Sequence, residues 1–193
     1  ARVALQAYVA RPDVVRGVLL VAPTLGVHGE LSWPSRQLLA QQPSLTPALV
    51  RKYIDNDVLG ATRAGRERFA RRRSVWYTTT HVRMDEVSDG YMQLFRVTDH
   101  KLALRRYGEA RQAAAAGSNA ALMRALANNV FATLPSLVVV GEHDRITPRA
   151  DCERIAEDID ALGVRVLPRV GHLPHEEALD AFVDVLDEFI SDV

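Results

Sequence analysis

The sequence VGEHD at residues 140–144 and the sequence VGHLPHE at residues 170–176 decide how this chain is organised. Each follows a run of β-branched apolar residues, a composition typical of buried parallel strands. Open α/β sheets carry their chemistry at the carboxyl ends of such strands. The two stretches therefore predict that an acid and an imidazole meet at one edge of a sheet, as two members of a nucleophile–base–acid relay.

The segments around these stretches alternate between helical and strand patterns. Apolar residues at helical spacing within residues 1–10 predict a helix, and the apolar run at 14–23 predicts a buried strand. The tail predicts a strand at 137–140, a helix at 149–162 that starts at Thr147-Pro148, a strand at 164–167 and a helix from about Glu177. The last helix carries an apolar stripe suited to packing on a sheet: Leu179, Phe182, Val183, Leu186, Phe189 and Ile190. The fold class predicted is α/β, with about three parallel strands and flanking helices.

The middle of the chain has a different pattern. Several helix starts and amphipathic segments with Arg-rich faces occur there, and only residues 75–80 favour a short strand. An insertion of this length between two strands is usually functional. We therefore predict two parts: a core formed by residues 1–27 and 134–193, and a helical cap or lid formed by residues 28–133.

Composition excludes several classes of protein. The 193 residues are 48% hydrophobic and 25% charged with a net charge of zero, which argues against a nucleic-acid partner or an anionic membrane partner. A single cysteine, Cys152, cannot form an internal disulfide, which fits a cytoplasmic protein. No run reaches the roughly 20 apolar residues that span a bilayer. No metal or organic cofactor is implied.

The order of these motifs resembles the C-terminal portion of the α/β-hydrolase fold. The motifs that carry the resemblance are strand, G-E-x-D, T-P, helix, strand, G-H-L-P-H-E-E and amphipathic helix. The resemblance implies that the three strands correspond to the sixth to eighth strands of that fold, with the helical cap inserted after the sixth. It makes Asp144 the triad acid and His172 the triad base, with a small molecule as the substrate.

One feature of that family is missing from the sequence. A hydrolase of this kind needs a nucleophile on a G-x-S-x-G turn, and no such sequence occurs among these residues. In the family the sixth strand pairs with the fifth, so the strand at 14–22 would have an uncovered edge, which is costly. We expect an N-terminal piece of the same gene product, present as a separate chain, to cover this edge and supply the nucleophile. Self-association through the edge is the rival expectation.

Alternatives remain at the level of residues and of function. Glu142 is a second candidate for the acid, whereas His143 is expected to face solvent and His175 to be structural. The favoured function is hydrolysis of an ester, lactone, thioester or similar small substrate. A non-hydrolytic relative that acts as a cyclase, on C–C bonds or on epoxides is the second hypothesis, and a non-catalytic remnant of the fold is the third.

Overall fold

A computed structural model describes residues 1–23, 25, 77–78, 106 and 120–193. Most of the predicted cap lies outside these residues, and only 77–78, 106 and 120–133 of it are described. The described elements are, in chain order, helix α1 (Arg2–Ala10), strand β1 (Val18–Val21), helix α2 (residues 120–127), strand β2 (Ser136–Gly141), helix α3 (Arg149–Asp158), strand β3 (Gly163–Leu167), helix α4 (Pro174–Glu177) and helix α5 (Leu179–Asp192).

The three strands form a parallel sheet in the order β1-β2-β3. Val18 of β1 lies opposite Ser136 of β2, and Leu137 of β2 lies opposite Gly163 of β3. All six residues of the central strand β2 are buried, as expected for a β-branched run with helices on both faces. The predicted α/β fold class with a parallel sheet is therefore confirmed.

Alternate residues of the sheet face two separate cores. Val138 and Val140 belong to the larger core, together with Leu5 of α1, Leu122 of α2 and Ile155 of α3. The intervening residue, Val139, belongs to a smaller core with Leu167 and Val170, against which Phe182 and Val185 of α5 pack. Because successive side chains of a strand point to opposite faces, these two cores make three layers, with α5 on one face and α1, α2 and α3 on the other.

Three predicted boundaries differ from the structure. The strand predicted at 14–23 begins only at Val18, since β2 begins opposite it at Ser136, and Val18 donates its amide to the carbonyl of Pro135. The helix predicted to reach residue 162 ends at Asp158, followed by Asp160 with φ +52. The closing helix, predicted from about Glu177, begins at Leu179, because Ala178 with its φ of −146 is not helical.

The predicted packing of the last helix is only partly correct. Phe189 is buried and Phe182 packs on the sheet. Leu179, Val183 and Ile190 are exposed instead, at 58%, 38% and 59%. We call these three side chains the α5 apolar face. They lie on a side of α5 about 100° around the helix from Phe182 and Phe189, which face the sheet.

The outer edge of β1 is the second uncovered feature. In the described part of the chain β1 pairs only with β2, so the backbone groups on its other side have no strand partner there. Among the same residues, no helix combines the length and the apolar character that crossing a membrane requires.

Candidate active site

Asp144 lies in a tight turn directly after β2. The turn is closed by a bond of 3.1 Å from the amide of Asp144 to the carbonyl of Gly141. One carboxylate oxygen, Oδ1, accepts the backbone amides of Ile146 at 2.7 Å and Thr147 at 2.9 Å, and Oδ2 accepts the hydroxyl of Thr147 at 2.8 Å. The side chain is fully buried. These local donors therefore hold the carboxylate in one orientation.

His172 lies in the loop that follows β3, and this loop passes directly against the end of β2. The amide of His143 donates to the carbonyl of Val170 at 2.9 Å, which joins the two loops. Gly141 makes this approach possible, because a Cβ atom at this position would lie 2.1 Å from the carbonyl oxygen of Gly171. A residue without a side chain is therefore required where the two loops meet.

The two predicted side chains meet at this edge of the sheet. Nδ1 of His172 lies 2.8 Å from Oδ2 of Asp144, although 28 positions separate them in the sequence. The imidazole is 15% exposed, whereas the carboxylate is 0% exposed. The geometry is thus that of an acid that orients a base, with the base nearer to the surface. The catalytic role of the pair stays a prediction.

The hydroxyl of Thr147 settles which imidazole nitrogen carries the proton. Its Oγ1 lies 2.8 Å from Oδ2 of Asp144 and 3.3 Å from Nδ1 of His172. An ionised carboxylate cannot donate, so the hydroxyl proton points to Asp144 and the lone pairs of Oγ1 remain for Nδ1. Nδ1 then faces two acceptors and must carry hydrogen. The basic atom of a neutral His172 is therefore Nε2.

Asp144 is ionised at neutral pH. Burial acts to raise its pKa, but the hydrogen bond and positive charge of His172, followed by the bonds from Thr147, outweigh burial and lower the pKa below its ordinary value. The ionised carboxylate next to Nδ1 stabilises the imidazolium that forms when Nε2 takes up a proton.

Sequence reasoning missed the role of Thr147. A helix that starts at Thr147-Pro148 would have this threonine as its N-cap. The helix has Pro148 at its N-cap instead, without a side-chain capping bond, and the hydroxyl of Thr147 donates to Asp144. The available signal was the spacing Asp-x-x-Thr, since an aspartate commonly accepts bonds from groups two and three residues ahead in a turn.

Cys152 lies below this turn and is not a nucleophile. Its side chain is fully buried, and its sulfur lies 3.8 Å from the carbonyl of Thr147. Burial, followed by the nearby carboxylates, raises the pKa of the thiol to about 12. The group therefore stays a neutral thiol, and nucleophilic attack needs the thiolate.

The other candidates have separate contacts. Glu142 accepts the amide of Arg169 at 2.8 Å with a side chain that is half exposed, so it joins two loops. His143 is also half exposed. The ring of His175 packs edge-on against Phe182 with 6.0 Å between the ring centres. The described contacts therefore favour Asp144 over Glu142 as the partner of His172.

No metal site accompanies the pair in the residues described. Within 1–23 and 120–193 and the few residues between them that the structure covers, no group of three or more His, Cys, Asp or Glu side chains is arranged to hold an ion.

Comparisons with known proteins show which fold family the sequence matches. A model of the alpha/beta hydrolase family matches residues 1–185. A Mycoplasma pneumoniae protein, whose name assigns it provisionally as "esterase/lipase 2", is 33% identical over 66 residues, which are 34% of this chain and 25% of that protein.

Solved structures named as a hydrolase and as an esterase share the fold. The chain superposes on 2-hydroxy-6-oxo-6-phenylhexa-2,4-dienoate hydrolase from Rhodococcus sp. strain RHA1 with a TM-score of 0.63 and 19% identity, over 98% of this chain and 60% of that one. A thermophilic esterase from Thermogutta terrifontis gives a TM-score of 0.59 and 17% identity, over 99% of this chain and 61% of that one. The chain thus spans less than two thirds of the length of these relatives.

Proposed function

The chain belongs to the alpha/beta hydrolase family, and on this premise we propose that His172 and Asp144 are the base and the acid of a hydrolase. The proposed substrate is an ester, lactone, thioester or similar small molecule. The observation that carries the proposal is the 2.8 Å contact between Nδ1 of His172 and Oδ2 of a fully buried Asp144. The relative named as an esterase/lipase supports the same reaction class.

The proposed mechanism follows from the protonation of the pair. With hydrogen on Nδ1, Nε2 of His172 accepts the proton of an attacking hydroxyl and then donates it to the leaving group. Asp144 keeps the imidazole in this tautomer and stabilises its positive form. Nε2 next activates a water molecule, which hydrolyses the covalent intermediate. Both halves of the reaction therefore use the same nitrogen of His172.

We further propose that the nucleophile arrives on an N-terminal piece of the same gene product, present as a separate chain. Two uncovered surfaces support this: the outer edge of β1 and the α5 apolar face. The solved relatives support additional polypeptide, though not its being a separate chain, since about 40% of each relative's own chain is not matched by these residues. In this proposal residues 28–133 form a helical cap over the site, and the protein is cytoplasmic.

The assay for this function uses the protein assembled with its remaining polypeptide and a chromogenic acyl ester. His172→Ala should lower kcat/KM by at least about 1000-fold, because the general base and its oriented proton are both removed. His143→Ala is the matched control, since it removes a half-exposed imidazole that does not contact Asp144 in the described bonds, and its activity should stay within about twofold of the wild-type protein. Equal activities of the two variants would refute the assignment.

A further inference from the structure

Glu177 is a buried carboxylate that the mechanism above does not use. It lies at the end of α4 and is only 4% exposed. Its Oε1 accepts the backbone amide of Gly171 at 2.8 Å, and its Oε2 accepts the backbone amide of Thr78 at 2.8 Å. Gly171 directly precedes His172. One carboxylate therefore joins the histidine loop to a segment 99 positions away in the sequence.

The neighbouring residue makes a parallel contact. Tyr77, which is only 3% exposed, donates its hydroxyl to Oε2 of Glu176. Two consecutive carboxylates thus hold two consecutive residues, Tyr77 and Thr78. Hydrogen bonds to an ionised acceptor are about twice as strong as neutral ones. The segment 77–78 is therefore fixed to the same short helix that supports the histidine loop.

We propose that Glu177 is a positioning residue that couples the histidine loop to the segment 77–78. The inference rests on the proposed role of His172 for its functional meaning, although the coupling itself is structural. Because both amides bond to one carboxylate group, loss of either bond lets the carboxylate turn and weakens the other. Coupling of this kind is reciprocal. A displacement of residues 77–78, which lie in the proposed cap, would then change the position of the His172 imidazole through the bond to the amide of Gly171.

Amide hydrogen exchange in the complete protein tests the coupling without any substrate. Glu177→Gln keeps the shape of the side chain but presents an NH2 group to one of the two amides. Exchange at both Gly171 and Thr78 should rise by about tenfold or more, as expected for loss of a bond to a charged acceptor. Glu188→Gln, the same change at an exposed position of α5, is the matched control and should leave both amides within about twofold.

A variant at Tyr77 distinguishes two coupled hydrogen bonds of Glu177 from two independent ones. Tyr77→Phe removes the hydroxyl that bonds to Glu176 and leaves Glu177 intact. The proposal predicts faster exchange at Gly171 as well as at Thr78, by at least about threefold. A change at Thr78 with wild-type exchange at Gly171 would overturn it. If Glu177→Gln does not fold, Glu177→Asp gives the same test, because the shorter side chain keeps the charge and cannot reach both amides.

Kinetic measurements then show whether the coupling affects catalysis by His172. In the assembled enzyme Glu177→Gln should lower kcat by about tenfold and shift the acidic limb of the pH–rate profile, and it should add nothing in a His172→Ala background. Wild-type kinetics with fast exchange at both amides would refute the positioning role. An inactive wild-type protein with coupled exchange would refute the proposed hydrolase instead, so the two failures are distinguishable.

Discussion

At the scale of single residues, four hydrogen-bond donors hold the orientation of the Asp144 carboxylate. One of them, the hydroxyl of Thr147, can be removed by a substitution that keeps the shape of the side chain. Thr147→Val keeps the shape and loses this bond to a buried charge, so we expect the free energy of unfolding to fall by about 1.5 to 3 kcal/mol. Activity on the acyl ester should fall about tenfold, since the carboxylate is less well oriented. Thr147→Ser keeps the hydroxyl and is the matched control, and equal losses in the two variants would contradict this account.

The lowered pKa of Asp144 predicts an acid-sensitive stability. The folded pKa lies below the unfolded value of about 3.9, so the folded state binds fewer protons near that pH. The contribution of the ionised Asp144 carboxylate to the free energy of unfolding is fully present above the unfolded pKa of this group, and it is lost as the pH falls through the folded pKa.

Thermal unfolding of the wild-type protein and of Asp144→Asn between pH 3 and 7 measures this effect. The wild-type Tm should fall more steeply below about pH 5, because the asparagine variant has no carboxylate to protonate. The same slope in both proteins would show that Asp144 does not contribute.

At this scale the sequence predicts the proximity of Asp144 and His172, because two neighbouring parallel strands end at the same edge. It does not predict the bonds of Glu177. One of them joins residues 99 positions apart and the other joins residues six positions apart, and no local sequence pattern specifies that one carboxylate makes both. The role of the Thr147 hydroxyl is only partly predictable. Its bond to Asp144 lies within a local turn, but a threonine before a helix also favours capping that helix.

At the scale of elements, the meeting of the two loops depends on Gly141. Gly141→Ala places a Cβ atom 2.1 Å from the carbonyl oxygen of Gly171, where backbone must move, so we expect a loss of more than about 3 kcal/mol of unfolding free energy. Gly17→Ala adds the same methyl group at 3.1 Å from the ring of Phe189 and should cost clearly less. Denaturant unfolding measures both, and equal destabilisation would contradict the close approach.

The existence of the elements follows from hydrophobic periodicity, whereas their ends depend on neighbours. Strand β1 is shorter than its apolar run because its partner strand begins opposite Val18. The closing helix begins only after Ala178, a residue with high helix propensity, so tertiary packing decides the backbone there.

At the scale of the whole molecule, the α5 apolar face marks where further polypeptide is expected to bind. Leu179→Lys combined with Val183→Lys should weaken binding of the proposed N-terminal piece by about 100-fold, at about 1.5 kcal/mol or more for each apolar side chain. Asp184→Lys is the control on the same helix, with a charge change but no apolar loss. Titration followed by sedimentation measures the affinities of the wild-type protein, the double variant and the control for the N-terminal piece. Similar affinities would show that the piece does not bind at the α5 apolar face.

The fold class is predictable at this scale because alternating helix and strand patterns allow few arrangements. The cap is different. Helix starts in residues 28–133 predict helices but no contacts between them, and most of these positions lie outside the described residues. The substrate depends on that surface and on the nucleophile, so neither can be derived from the sequence.

We propose that His172, oriented by Asp144, activates a nucleophile supplied by a separate polypeptide. The most direct test is covalent labelling of the assembled protein with a fluorophosphonate, followed by mass spectrometry of the peptides. The account predicts one labelled hydroxyl outside these residues, with labelling that is lost in His172→Ala and kept in His143→Ala. A label on a residue of this chain, or equal labelling in both variants, would contradict it.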